Sequence, residues 1–189
     1  MNRLRQQYID TVIPALEKEL KLTSPLAVPS ISKIVINMGV TNPQDPKARE
    51  TVIANVVEQF RTITGQQPQI TRARKAISGF KLRQGDPMGV MVTLRGDRMW
   101  QFLDKLISIT LPRVKDFQGV PRVAFDAKGN YNLGLEEQIV FPEINYDAIE
   151  SVRGLQITMV TNNSNPERSI KMLELLGMPF VKETSKGAK

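Results

Sequence analysis

Cysteine and histidine are both missing from the 189 residues. Without cysteine there is no thiol nucleophile, no iron–sulfur cluster, no thiolate zinc site and no disulfide framework, a composition that suits a reducing compartment. Without histidine there is no Ser-His-Asp triad, no imidazole-bound metal and no side chain whose unperturbed pKa lies near neutrality. Phosphate loops of the GxxxxGK[ST] type, GxGxxG fingerprints, calcium loops and GxSxG elbows are also absent, so no metal and no cofactor is expected. No stretch approaches the roughly 18 apolar residues of a membrane span, and residues 1–10 are charged where a signal peptide would be apolar. The expectation is a soluble, cytoplasmic protein without a membrane partner.

What is present is a hydrophobic share of 41%, enough to build a core without staples and sized for one domain over 1–180 with a flexible basic tail at 181–189. Lys and Arg number 26 against 19 Asp and Glu, a formal charge of +7 that attracts a polyanion, nucleic acid first. The excess is concentrated. Between Arg61 and Gly85 stand Arg61, Arg72, Arg74, Lys75, Lys81 and Arg83, with no acid. Such a run can be a solvated surface, but here it surrounds Gly79, Phe80 and Gly85 in a loop shaped to project.

Periodicity gives the fold class. Residues 2–20 carry apolar positions at helical spacing, with Pro14 marking a kink or boundary. Residues 31–38 alternate Ile34, Ile36 and Met38 with Lys33, Val35 and Asn37, a two-faced strand. Asp45 is placed to cap a helix that opens on Pro46 and runs to about Thr64, with Gly65 to stop it. Residues 69–75 read as extended, which would point Arg72 and Arg74 the same way. Residues 88–95 alternate Val90, Val92 and Leu94 with Met91, Thr93 and Arg95. Asp97 reads as the N-cap of a helix to about Thr110. Further strands are predicted within 131–141 and 153–161, and a last helix opens at Asn165-Pro166-Glu167 and closes at Gly177. The sum is an α+β fold: a largely antiparallel sheet with helices packed on one face and the other face available.

The free strand faces carry Lys33 and Asn37, Thr93 and Arg95, and Gln156 and Thr158, groups suited to phosphate and sugar contacts, although antiparallel sheets also simply leave a polar face in water. The strands at 31–38, 88–95 and 153–161 hold no Phe, Tyr or Trp, so they offer no stacking platform for single-stranded RNA. A folded RNA read by backbone shape fits better, and no helix has the dense stripe of a major-groove reader. Phe80 can meet an RNA base or sugar, or anchor its loop to the core. Adjacent Glu136 and Glu137 would face opposite sides of a strand and cannot act as a catalytic pair. A general RNA chaperone and an RNA-modifying enzyme remain alternatives at this point.

Longer motifs add a resemblance. Residues 36–40 (INMGV), 63–68 (ITGQQP), 71–85 (TRARKAISGFKLRQG), 92–100 (VTLRGDRMW), 129–134 (GNYNLG), 137–144 (EQIVFPEI) and 173–180 (LELLGMPF) resemble, in order, the bacterial large-subunit ribosomal protein five family, and the likeness extends over 1–180. The resemblance implies a structural protein, not an enzyme, bound to 5S rRNA in the central protuberance of the large subunit. It implies 5S rRNA contacts at Asn37, Gln66 and Thr93, with Met38, Gly39 and Arg95 beside them. It implies that the loop reaches the P-site tRNA, with Arg72, Arg74, Lys75, Ser78, Gly79, Phe80, Lys81 and Arg83 as its contacting residues. It also implies an intersubunit bridge to the small-subunit head protein thirteen through Arg113, Lys115, Phe117, Glu143 and Tyr146. Large-subunit rRNA and other 5S-associated large-subunit proteins complete the implied partners. Two departures stand out: a longer connection at 41–47, and Gln118 where the family commonly carries arginine.

Overall fold

The computed structural model describes residues 2–22, 24–40, 46–145 and 149–181, without the side chains of 46 and 47. The expected cap at Asp45, most of the longer connection, Tyr146 and the tail from 182 lie outside the described residues.

Five strands, β1 (Ser30–Gly39), β2 (Gln69–Arg72), β3 (Pro87–Leu94), β4 (Tyr131–Leu135) and β5 (Leu155–Asn162), form one sheet in the order β2-β3-β1-β5-β4. Every neighbouring pair is antiparallel. Alternation sends Ile34, Ile36 and Met38 of β1, Val90, Val92 and Leu94 of β3, and Ile157 and Met159 of β5 into one core. Helices α1 (Arg3–Gln7), α2 (Ile13–Leu20), α3 (Pro46–Thr64), α4 (Gly96–Lys105) and α5 (Pro166–Leu175) close that core. They supply Leu4, Leu16, Val56, Phe60, Trp100, Leu103, Met172 and Leu173. Among the described residues the helices pack on one face of the sheet, the α+β arrangement that the alternation predicts.

The first helix is in fact two, joined by a π turn at Tyr8–Val12, and a second π turn at Leu106–Thr110 prolongs α4 to the predicted end at Thr110. Each π turn ends two residues before a proline, Pro14 and Pro112. Proline has no N–H and its ring presses on the carbonyl four residues earlier; widening the preceding turn relieves that conflict without breaking the helix.

Two expectations are corrected. Asp97 is not the N-cap of α4: the helix begins at Gly96, whose φ of +59° turns the chain directly out of β3, so Asp97 falls in the first turn and pairs with Arg5 at 2.7 Å. Extended structure does not continue to Lys75 either. β2 stops at Arg72, where a register shift against β3 breaks the alternation, and the chain bends through Arg74 and Lys75.

Candidate nucleic-acid interface

The sheet register lines up the side chains on the face turned away from the helices. One row crosses five strands as Gln69, Met91, Asn37, Gln156 and Gly134, and the next crosses four as Thr93, Val35, Thr158 and Asn132. Asn37, Gln156 and Gln69 are exposed, and the second row is half-buried. Asn37 makes no side-chain hydrogen bond to any described residue, so its amide is free for a partner, whereas the Thr158 hydroxyl donates to the Asn132 side-chain Oδ1 at 2.8 Å. That bond leaves the Asn132 amide nitrogen to donate outward. Neither row contains an aromatic ring.

Gln66 reaches β3 from the turn after α3. Its side-chain nitrogen donates to the Thr93 carbonyl at 3.0 Å. β2 pairs with β3 only as far as Met91, so the Gln66 amide serves a backbone acceptor beyond the end of the ladder and is held in one orientation. Asn37 and Thr93 lie diagonally across β1 and β3, a relation that places side chains about 7–8 Å apart. The structure thus brings together three residues separated in sequence. Gly39 is exposed beside them. Met38 is the exception: its side chain is 1% exposed and belongs to the opposite, apolar face, so it cannot present itself to a ligand on this one.

Cations stand at both ends of the face. Lys33 and Arg95 mark one end. At the other, Gly39 faces Gly89 and the chain leaves as the basic hairpin. Six residue steps of extended chain from Gly89 to Arg95 put these ends about 20 Å apart. In the hairpin Arg72, Arg74, Lys75, Ser78, Gly79, Phe80, Lys81 and Arg83 are all exposed. The tip is a single 3-10 turn at Ser78–Phe80, closed by Ile77 and Leu82, whose backbones exchange hydrogen bonds of 2.9 and 3.1 Å. Leu82, at 9% exposure, anchors the loop, and Phe80, at 71%, points away from the protein. The Arg72 guanidinium donates back to the Gly85 carbonyl at 3.0 Å and braces the stem.

The residues implied in an intersubunit bridge fall into separate places. Lys115 and Phe117 line a groove of about 490 Å³ beside β4, floored by Leu111, Leu133 and Leu135 and rimmed by Glu136 and Glu137. Arg113 is exposed just before it. Glu143 does not join them. Its carboxylate meets the Lys105 ammonium at 2.5 Å, the same ammonium donates to the Ile63 carbonyl at 2.7 Å, and Glu143 borders a different groove with Asn55, Gln59 and Thr62 of α3. Glu143 is held in a clamp between the ends of α3 and α4. Glu136 and Glu137 are exposed beyond the end of β4.

Sequence reasoning passed over Gln69 and Asn132, although their even spacing within predicted strands was the available signal. It also missed Arg49, which is 2% exposed and directs a guanidinium nitrogen to Met88 sulfur at 3.8 Å, because nothing local marks an arginine as buried.

A broad hydrogen-bonding sheet face between two cationic ends, with a basic finger beside it, defines an α+β protein built for a polyanionic partner. Comparison with known proteins gives the family. Residues 24–83 match the family described as ribosomal protein L5, and residues 87–180 match the model of the C-terminus of that same ribosomal family. The large ribosomal subunit protein uL5 of Rubrobacter xylanophilus is 51% identical over 180 residues, covering 95% of this chain and 98% of that relative. The chain belongs to the ribosomal protein L5 family and is a structural constituent of the large ribosomal subunit, where it associates with ribosomal RNA. The two matched segments share one sheet: β1 and β2 come from the first, β3, β4 and β5 from the second.

Proposed function

We propose that the open sheet face docks 5S rRNA and helps to attach it in the central protuberance, while the basic hairpin reaches the P-site tRNA. The observation that carries this reading is the pair of non-aromatic rows, with Asn37 and Thr93 on adjacent strands, the oriented Gln66 amide bonded to Thr93, and cations at either end of the face. Amides and hydroxyls read a folded RNA through its 2′-hydroxyls and backbone, and the cations neutralise flanking phosphates. Gly39 allows close backbone approach, and Arg95 supplies charge. The hairpin carries five cations and an exposed ring on a stem tied at Ile77 and Leu82, which suits a second RNA at a distance from the first. The groove with Lys115 and Phe117, next to Arg113, supports a protein contact across the subunit interface with the small-subunit head protein thirteen.

Chemical footprinting of 5S rRNA with and without the protein tests this reading. A discrete protected region, lost in folded Asn37→Ala and Thr93→Ala variants, is the expected result. Neutralising about five phosphates predicts a slope near −4 to −5 for log affinity against log salt. Salt-insensitive binding, or equal affinity for unrelated folded RNAs, would remove 5S rRNA as the specific partner.

A further inference from the structure

Beyond the central rows, at the far end of β5 where the open face meets the start of α5, lies a shallow groove of about 680 Å³ whose lining includes Lys128, Asn162, Asn163, Asn165 and Arg168. No acidic residue lines it, and its two cations come from segments forty residues apart, Lys128 before β4 and Arg168 in α5. Three neutral amides share the lining with them: Asn163 donates to the Leu26 carbonyl at 2.8 Å, Asn165 accepts from the Arg168 N–H at 2.9 Å, and Asn162 bonds to no described residue.

The groove is rigidly made. Gly129, with φ of +80°, packs so closely on the start of α5 that a Cβ there would sit 2.8 Å from the Asn165 carbonyl. Buried Ser169 and Thr161 hydroxyls both donate to the Gly129 carbonyl, at 2.6 and 2.9 Å. The turn bearing Lys128 is therefore pinned to the helix bearing Arg168, which brings both cations to one groove. Neither cation forms an ion pair with a described residue, although Asp126 lies close enough to Lys128 for the two charges to attract. The Asp126 carboxylate accepts from the Asn130 side chain and backbone and from the Lys128 N–H at 2.7, 2.8 and 2.9 Å, so its acceptors are turned into its own loop. Among the described residues Arg168 has no ion-pair partner, and Glu167 is exposed in the first turn of α5. Continuity with the open face is direct, because Asn162 stands four residues beyond Thr158 on the same side of β5 and pairs with Ser30 as Thr158 does with Val35.

We propose that this groove is a second backbone subsite for the RNA that docks on the sheet: Lys128 and Arg168 straddle a phosphate, and the Asn162 amide contacts the adjoining sugar. The proposal rests on the reading of the open face as the RNA-docking surface. It places a cationic contact at the β4–β5 edge, remote from the hairpin on β2 and β3, so the RNA spans the full width of the sheet.

The test uses the full chain and 5S rRNA. Lys128→Gln with Arg168→Gln should lower affinity about tenfold at low salt and make the log affinity against log salt slope shallower by about 1 to 2. It should also erase protection at one end of the footprint while leaving the rest. Lys18→Glu in α2 changes net charge by the same two units on the helical side and should leave slope and footprint unchanged. Asn162→Asp, whose side chain bonds to no described residue, places a negative charge in the groove without touching the Gly129 clamp, and should weaken binding in the same sense. Parent-like slope and footprint in the folded double variant and in Asn162→Asp would overturn the subsite while leaving the sheet-face reading intact. Failure of the parent chain to protect 5S rRNA would instead overturn the reading on which the subsite rests.

Discussion

Gln66 and Thr93, 27 positions apart in sequence, are joined by a hydrogen bond from the Gln66 side chain to the Thr93 carbonyl at 3.0 Å. The bond occupies one group of each residue and leaves the Gln66 amide oxygen and the Thr93 hydroxyl without a described partner. Part of what makes the two residues available to a ligand is thus structural.

Gln66→Ala should therefore lose stability as well as RNA affinity. Removing one neutral, half-buried hydrogen bond costs about 0.5–1.5 kcal/mol. Gln66→Glu sets a carboxylate against a carbonyl and next to RNA, and should be worse on both counts. Urea denaturation and 5S rRNA titration of the two variants check this; an Ala variant with parent stability would show that the bond is not maintained in solution.

Asn37 and Met38 are neighbours with opposite duties. Met38→Ala opens the core and should cost about 2–5 kcal/mol, whereas Asn37→Ala removes an exposed amide and should change stability by less than about 0.5 kcal/mol while reducing 5S binding. Thermal unfolding beside binding measurements separates them.

Gly39 and Gly89 face each other across β1 and β3 but differ in the space around them. A Cβ on Gly39 meets nothing within 4 Å; one on Gly89 would lie 2.5 Å from the Met38 carbonyl oxygen. Gly39→Ala should fold normally and hinder RNA approach. Gly89→Ala should lose about 1–3 kcal/mol through forced backbone movement. Comparable unfolding midpoints for the two would contradict this packing.

In the hairpin, Phe80→Ala should leave unfolding unchanged, as expected for a ring that is 71% exposed, and should spare 5S binding while weakening crosslinking to P-site tRNA. Leu82→Ala should loosen the tip and raise its proteolytic sensitivity. Loss of 5S affinity in Phe80→Ala would mean that the two RNA surfaces have been assigned the wrong way round.

Tyr8 donates its hydroxyl to the Pro29 carbonyl at 2.8 Å, and burial pushes its pKa up to about 12; burial shifts Tyr131 in the same direction. A raised folded-state pKa favours the protonated phenol, so this contribution is complete below the unfolded value near 10 and is lost as pH rises from about 10 towards 12. Stability measured across that interval should fall less steeply for Tyr8→Phe than for the parent, while the variant is less stable at neutral pH by about 1 kcal/mol for the lost hydrogen bond.

Local pattern in the sequence was sufficient for the main elements and for the faces of the strands, though not for the start of α4 or the end of β2. Ile34, Ile36 and Met38 alternate with Lys33, Val35 and Asn37, and parity alone assigns each to core or open face, because successive strand side chains point to opposite sides. The same parity places Met38 in the core, whatever role its neighbours have. The non-aromatic character of the open face and the basic loop were equally legible, and the ordered motifs carried the family.

Register and contact between distant segments were decided only by the tertiary structure. That Asn37 stands beside Gln156, that Gln66 reaches Thr93, that Glu143 is held by Lys105, and that Lys128 and Arg168 share a groove all depend on how segments tens of residues apart pack. Alternation is a property of one strand and its immediate neighbours along the chain. Which residue lies opposite which is set by the fit of apolar side chains across the whole core, and no local stretch of sequence contains that information.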